Sequence, residues 1–261
     1  MISFILSAIK IIFLLGFLIF IHELGHFTVA KLCKVKVNEF AIGFGPAIWK
    51  KQGKQTKYAL RLIPLGGFVS MEGEEERSEE SGSFSKASIP KRIAIVAAGA
   101  IVNIIFAIIV YFLLIANSGT YITNEIVSTT EGYPAQQIGL QPGDKIIEAN
   151  NKKIDNLKQL FTGNVGIDQM MGPVGISEVV SKTNGIKEFL YMMALISISL
   201  GVTNLLPIPA LDGGKILILI IEAIRRKPLK EQTEINIQLL GFSILIVLSL
   251  YVTYNDIIRI F

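Results

Sequence analysis

Four stretches of this chain are apolar for about as long as a helix must be to cross a lipid bilayer, and nothing else constrains the fold as tightly. A hydrocarbon core about 30 Å thick takes roughly 20 residues of helix. The stretches are residues 11–30, 93–116, 189–206 and 235–254; the third meets Pro207-Ile208-Pro209 and resumes as residues 215–224. Lipid offers the backbone no hydrogen bonds, so such stretches must be helical. Composition agrees, with 51% apolar and 18% charged residues, where soluble domains carry about 25% charged. The expected class is a membrane α-helical protein with four transmembrane spans and roughly 100 residues outside the bilayer. The first stretch also invites comparison with a signal peptide. Its apolar part is too long, no basic region precedes it, and it holds polar groups that a discarded segment would waste. It reads as a retained span.

Basic residues orient the spans. Residues 31–92 carry 12 of the 25 lysines and arginines, and Arg225, Arg226, Lys227 and Lys230 follow the third span. The loop 117–188 holds 6, none in its first fifteen residues. Both termini are therefore expected on the extracytoplasmic side of a cell (inner) membrane, with the two basic loops in the cytoplasm. The net charge of +4 reflects this asymmetry. A nucleic-acid partner is not expected, because the basic residues lack aromatic interleaving and are diluted by acidic residues between 72 and 80. The single cysteine, Cys33, excludes an intramolecular disulfide and a thiolate cluster.

The loops are not plain linkers. Gly43-Phe44-Gly45-Pro46 and Gln52-Gly53-Lys54 carry turn chemistry, and residues 58–62 alternate. A cytoplasmic-side, membrane-associated β-hairpin is expected there; an amphipathic hairpin that merely anchors is the alternative. Residues 72–85 read as a solvated acidic connection. In the outer loop, Gly139-Leu140-Gln141-Pro142-Gly143-Asp144 precedes a strand-like Lys145-Ile146-Ile147-Glu148-Ala149, and residues 133–138 look like a helix start. This resembles the PDZ domains of membrane and periplasmic proteases, in a partial, curtailed form. The expected division is 1–33 for the first span, 34–83 for the hairpin and acidic loop and 84–117 for the second span. The PDZ-like extracytoplasmic insert takes 118–172, the third span 173–227 and the fourth 228–261.

Chemistry concentrates in His22-Glu23-Leu24-Gly25-His26, the HExxH pattern, inside the first span. Residues four apart share a helix face, so both imidazoles can chelate one tetrahedral ion, with Glu23 about 100° around the helix. Unpaired, these groups would cost several kcal/mol at membrane depth. Packing roles for the histidines, with Glu23 paired to Lys10 or Lys215, are the alternative. These are the chain's only two histidines. Catalytic zinc takes about three protein ligands, so the third must be a carboxylate. Asp212, in Leu211-Asp212-Gly213-Gly214, is the best candidate, because Pro207, Pro209, Gly213 and Gly214 break the helix there. Broken backbone at membrane depth implies protein or a wet cavity around it. Glu222 reads as a snorkelling surface residue and Asp256 as too far towards the outer end. A helix N-cap is a further role for Asp212, compatible with ligation.

Together, the HELGH turn, the stretch Asn204-Leu205-Leu206-Pro207-Ile208-Pro209-Ala210-Leu211-Asp212-Gly213-Gly214 and the PDZ-like loop resemble the bacterial site-2 proteases of the regulator-of-sigma-E type. Residues 84–103 and Pro64-Leu65-Gly66-Gly67-Phe68 extend the similarity. That family consists of intramembrane zinc metalloproteases. The resemblance implies Zn²⁺ held by His22, His26 and Asp212, Glu23 as general base, and Asn204 and Asn103 as substrate-binding residues. It implies a transmembrane protein or peptide as substrate, such as an anti-sigma factor or a signal-peptide-like remnant, within the lipid bilayer. Ala100 stands where the family commonly has proline. A metal-transport site and a non-catalytic scaffold are the rival functions. Transport needs ligands strung along a path, whereas here the polar groups cluster at one depth.

Overall fold

The computed structural model describes residues 2–74, 76–118, 126, 139–145, 148, 149, 152, 153, 180, 183 and 185–260. The chain forms two compact units, one of Met1–Leu114 with Met171–Phe261 and one of Ile115–Met170.

In the larger unit, α1 (Ile2–Leu32), α2 (Ile89–Ser118) and α3 (Ile186–Asn204) come from the first three apolar stretches. The third stretch breaks at its prolines and continues as α4 (Asp212–Arg225), and α5 (Glu231–Ile260) completes the set. Four of these helices, all but α4, are long and apolar enough to cross a membrane. Their surfaces need lipid. Only 11% of the residues in the apolar stretch of α5 are buried, and Leu240, Val247, Leu250 and Tyr254 stand exposed along it. Such an apolar surface is untenable in water and ordinary in a bilayer.

Two clusters hold the helices together. Leu14 and Leu18 of α1 pack with Met193 of α3, where Phe17 meets Phe106 of α2 edge to face at 5.6 Å. The second cluster joins Ala30, Met71, Phe84, Ile95, Val96 and Leu219, tying α1, α2 and α4 to the base of the loop between the first two spans.

That loop carries β1 (Val37–Gln52) and β2 (Lys57–Met71), which pair antiparallel but fold across themselves. Residues 39–42 of β1 are flanked twice: Phe40 is opposite Val69 on one side and Tyr58 on the other. Residues 57–60 pair again with residues 49–52. The expected hairpin is thus a small sheet in which residues 57–60 are interior. Among the described residues, 67–71 pair on one side only and form a free edge. Phe40 anchors the sheet on α1, with its ring 6.2 Å from Phe20 and 5.1 Å from Phe27.

The acidic connection is better ordered than its composition suggests. Ser83 and Ser85 bond the Ser78 carbonyl, and Lys36 donates to Glu80 at 2.8 Å. Glu222, expected at the surface, is buried at 3% exposure. It accepts from Arg92 at 3.1 Å, from Arg77 at 3.4 Å and from the Leu229 amide at 2.9 Å. Paired charge, rather than snorkelling, is what makes it tolerable there.

In the smaller unit, the Gly139–Asp144 turn is formed: Gly139 and Gly143 are left-handed, and the Gln141 amide donates to Asp144 at 2.9 Å. β3 (Glu148–Ala149) pairs antiparallel with β4 (Lys152–Lys153). The remainder of the PDZ-like segment expected at 118–172, including the helix start at 133–138, lies outside the described residues.

Candidate metal centre

The site is assembled by three backbone decisions. First, the HExxH turn of α1 presses directly on α2. A Cβ on Gly25 would stand 2.6 Å from the Ala98 carbonyl oxygen, and one on Gly99 would stand 2.4 Å from His26 Nε2. Only glycine permits that approach. Second, Pro207 and Pro209, having no amide hydrogen, end α3. The chain turns through short bonds from Ile208 N to Leu206 O and from Leu211 N to Ile208 O, with Ala210 left-handed at φ 73°. Third, α4 begins on top of this turn, so closely that a Cβ on Gly214 would lie 2.3 Å from the Ile208 oxygen. Asp212 is the first residue of α4; the capping position is Leu211, with no side-chain cap bond. The aspartate is therefore not spent on the N-cap role considered for it.

The result brings His22, His26 and Asp212 together. The two Nε2 atoms are 3.1 Å apart, and Asp212 Oδ2 lies 3.2 Å from His22 Nε2 and 3.6 Å from His26 Nε2. His26 donates from Nδ1 to the Ile95 carbonyl oxygen at 2.8 Å, which leaves its Nε2 a bare lone pair. Asp212 Oδ2 is buried without any hydrogen-bond partner. Acceptor atoms converging at this range repel one another unless a proton or a cation lies between them, and a cation satisfies all three at once. A tetrahedral ion with bonds of about 2.05 Å separates its ligands by about 3.3 Å, and the three observed separations bracket that value. Two imidazoles and one carboxylate are a donor set that suits zinc. Among the described residues, these three form the one group placed to hold a metal.

A cavity of about 300 Å³ opens on the centre, lined by His22, Glu23, His26, Phe68, Val69 and Asp212 among others. Such a volume admits several waters. Glu23 faces it beside the histidines, and the free edge of β2 runs over Glu23: a Cβ on Gly67 would be 3.1 Å from Glu23 Cγ. Met71, Glu74, Lys215 and Gln238 complete part of the wall, and Lys215 Nζ bonds Glu74 Oε1 at 2.6 Å.

Of the other expected site residues, Asn204 is half-buried at the end of α3 and is not among the cavity-lining residues. Asn103 is wholly buried, with its Nδ2 3.4 Å from His22 Nδ1. Glu74 and Gln238 are wall residues that no motif in the sequence marks. Lys215, three residues after Asp212, was within reach of helix periodicity. Glu74 was indistinguishable from its acidic neighbours, and Gln238 comes from a helix that no motif ties to the site.

The chain matches the profile of Peptidase family M50 over residues 10–248. A Clostridium perfringens protein is 32% identical, the match covering 92% of this chain and 95% of that protein. Zinc metalloprotease RasP of Geobacillus kaustophilus is 25% identical, covering 98% of both chains. RasP of Shouchella clausii is also 25% identical, covering 94% of this chain and 97% of its own. The alignment with the Clostridium perfringens protein spans 320 positions, more than the 261 residues of this chain, so that relative carries residues with no counterpart here.

Proposed function

The chain belongs to peptidase family M50 and is a multi-pass zinc metalloendopeptidase of the site-2 protease family; from that premise we propose that it cleaves peptide bonds within transmembrane segments of other membrane proteins, as in regulated intramembrane proteolysis. Anti-sigma factors and signal-peptide-like remnants fit as substrates. The observation that carries the reading is the convergence of His22, His26 and Asp212 with Glu23 beside them, in a cavity walled by a free strand edge.

His22 Nε2, His26 Nε2 and Asp212 Oδ2 would hold the metal. Zinc, when bound, supplies Lewis acidity that polarises the scissile carbonyl and acidifies water at the centre. Glu23 takes the proton of the attacking water through its carboxylate and delivers it to the leaving amine, so acid and base roles fall to one group in turn. The cavity supplies the water that hydrolysis consumes.

The scissile bond sits in a helix whose backbone is already hydrogen-bonded, so the substrate must unwind first. Residues 67–71 offer unpaired strand positions beside Glu23 and replace the lost bonds by strand addition. Residues 57–60, paired on both sides, are not available for this. Asn204 is proposed to steady the substrate strand from the other side. The basic loops support a cell (inner) membrane location with both termini extracytoplasmic and the site towards the cytoplasmic half.

The test measures bound zinc, and cleavage of a single-span substrate in detergent, for wild type, Glu23→Gln and Asp212→Asn. Glu23→Gln should retain zinc and lose cleavage; Asp212→Asn should lose both. Cleavage that survives Glu23→Gln would reject the protease mechanism in favour of a scaffold. Zinc flux into proteoliposomes without cleavage would favour transport.

A further inference from the structure

Three residues of α2 spaced one helical turn apart face the metal-binding turn of α1. Gly99, in the middle, gives the imidazoles room. Ile95, one turn before, accepts His26 Nδ1 on its carbonyl oxygen at 2.8 Å. Asn103, one turn after, meets His22 Nδ1 at 3.4 Å. Because α1 and α2 run in opposite directions, each histidine receives its own partner from the same stripe.

We propose that Asn103 is the positioning residue that fixes the ring orientation and proton placement of His22, as the Ile95 carbonyl does for His26. The inference rests on His22 being a metal ligand. An imidazole that gives its Nε2 lone pair to a metal carries its proton on Nδ1, and that proton needs an acceptor. The Ile95 oxygen is already an acceptor. Asn103 is the group placed at His22 Nδ1, and it can present either end of its amide.

The surroundings of the amide decide which end it presents. With Nδ2 towards the ring, Asn103 Oδ1 is buried with no donor. An acceptor left bare in a wholly buried side chain is costly. A half-turn of the amide, which exchanges two atoms of nearly equal size, brings that oxygen to the ring, where it accepts from Nδ1–H. The structure thus holds an acceptor in reserve beside the proton that ligation through Nε2 would fix on His22 Nδ1. The backbone beneath it is fixed: Ser197 Oγ of α3 donates to the Asn103 carbonyl oxygen at 2.8 Å, and a Cβ on Gly201 would reach within 2.7 Å of Ala100 O. Asn103 is wholly covered and turned to His22, which reassigns it from the substrate contact that the family resemblance implied.

A neutral amide also suits the charge. Two imidazoles and one carboxylate leave a bound divalent ion at net +1, and Asn103 orients a ligand without adding a second buried negative charge.

The experiment measures zinc affinity in detergent by competition with a chromophoric chelator for wild type, Asn103→Leu and Asn103→Asp. Leucine fills the volume but accepts nothing, and should weaken zinc binding by about 10–100-fold. Aspartate keeps an acceptor and adds negative charge beside the cation, so it should bind zinc at least as tightly as wild type. Asn103→Leu with wild-type affinity overturns the proposal, and so does equal weakening in both variants, which would make the role one of packing alone. Nitrogen NMR of the zinc-loaded wild type does not depend on any variant folding, and the two histidines give a simple spectrum. Both Nδ1 atoms should carry protons; a bare Nδ1 on His22 overturns the proposal. Wild-type protein that takes up no zinc would instead bring down the functional reading on which this one stands.

Discussion

Replacing Gly99 with alanine should empty the metal site while leaving the protein folded. The added methyl would stand 2.4 Å from His26 Nε2 and 2.8 Å from His22 Cε1. Non-bonded heavy atoms settle at about 3.5 Å or more, so the shortfall is about 1 Å. The rings do not yield freely, since His26 is tied to the Ile95 oxygen and His22 faces Asn103. Relief comes only if α1 and α2 part by that amount or the rings swing away from Asp212. Metal–ligand distances tolerate about 0.2 Å, so either route takes at least one nitrogen out of range. The expected loss of zinc affinity is about 100-fold or more, beyond what an outer partner costs. Overpacking costs about 1–3 kcal/mol of stability. Chelator competition and thermal unfolding in detergent read the two quantities separately. Gly185→Ala is the control, because a Cβ there meets nothing within 4 Å. Gly99→Ala protein that binds zinc and cleaves like wild type would refute the proposed closeness of α2 to the histidines.

Other perturbations test other parts of the structure. Arg92→Ala leaves the buried Glu222 short of its nearer guanidinium and should cost about 3 kcal/mol, read as a fall in Tm that Glu222→Gln in the same chain partly restores; an unchanged Tm contradicts it. Proline placed singly at Phe68, Val69 and Ser70 should, at one position or more, cut cleavage at least about tenfold with zinc retained, because alternate amides of an edge strand face outward; full cleavage by all three rules out strand addition there. Burial pushes the Glu39 carboxyl up, but hydrogen bonds from Lys57 and Arg61 outweigh it and hold the pKa below the usual value of 4.5. Its contribution is therefore complete above the unfolded pKa of about 4.3 and is lost as pH falls through the lower folded value. Acid titration followed by the single tryptophan, Trp49 on β1, should show this loss, and Glu39→Gln should remove it. Ala210→Gly relieves a left-handed alanine and should stabilise the protein by up to about 1 kcal/mol, net of the entropy glycine adds to the unfolded chain; a lower Tm contradicts that reading.

The spans and the grouping of the candidate ligands were legible in the sequence because each depends on a local rule. Apolar length determined four membrane helices, since lipid leaves a backbone no alternative. Spacing by four put His22 and His26 on one face, and the scarcity of histidine required an oxygen as third ligand. Proline and glycine around Asp212 marked the break that frees it. Tertiary structure decided whatever depends on which surfaces meet. Glu222 reads as a surface residue until Arg77 and Arg92 arrive from distant segments to neutralise it. Alternation at residues 58–62 shows a strand but not its neighbours, and folding placed residues 67–71, not 57–60, at the free edge over Glu23. Gly99 looks like an ordinary span residue until two helices meet at backbone contact, and only that contact sets Asn103 across from His22. Periodicity records which face a residue shares with its own helix, whereas only packing says which atom of another helix stands across from it.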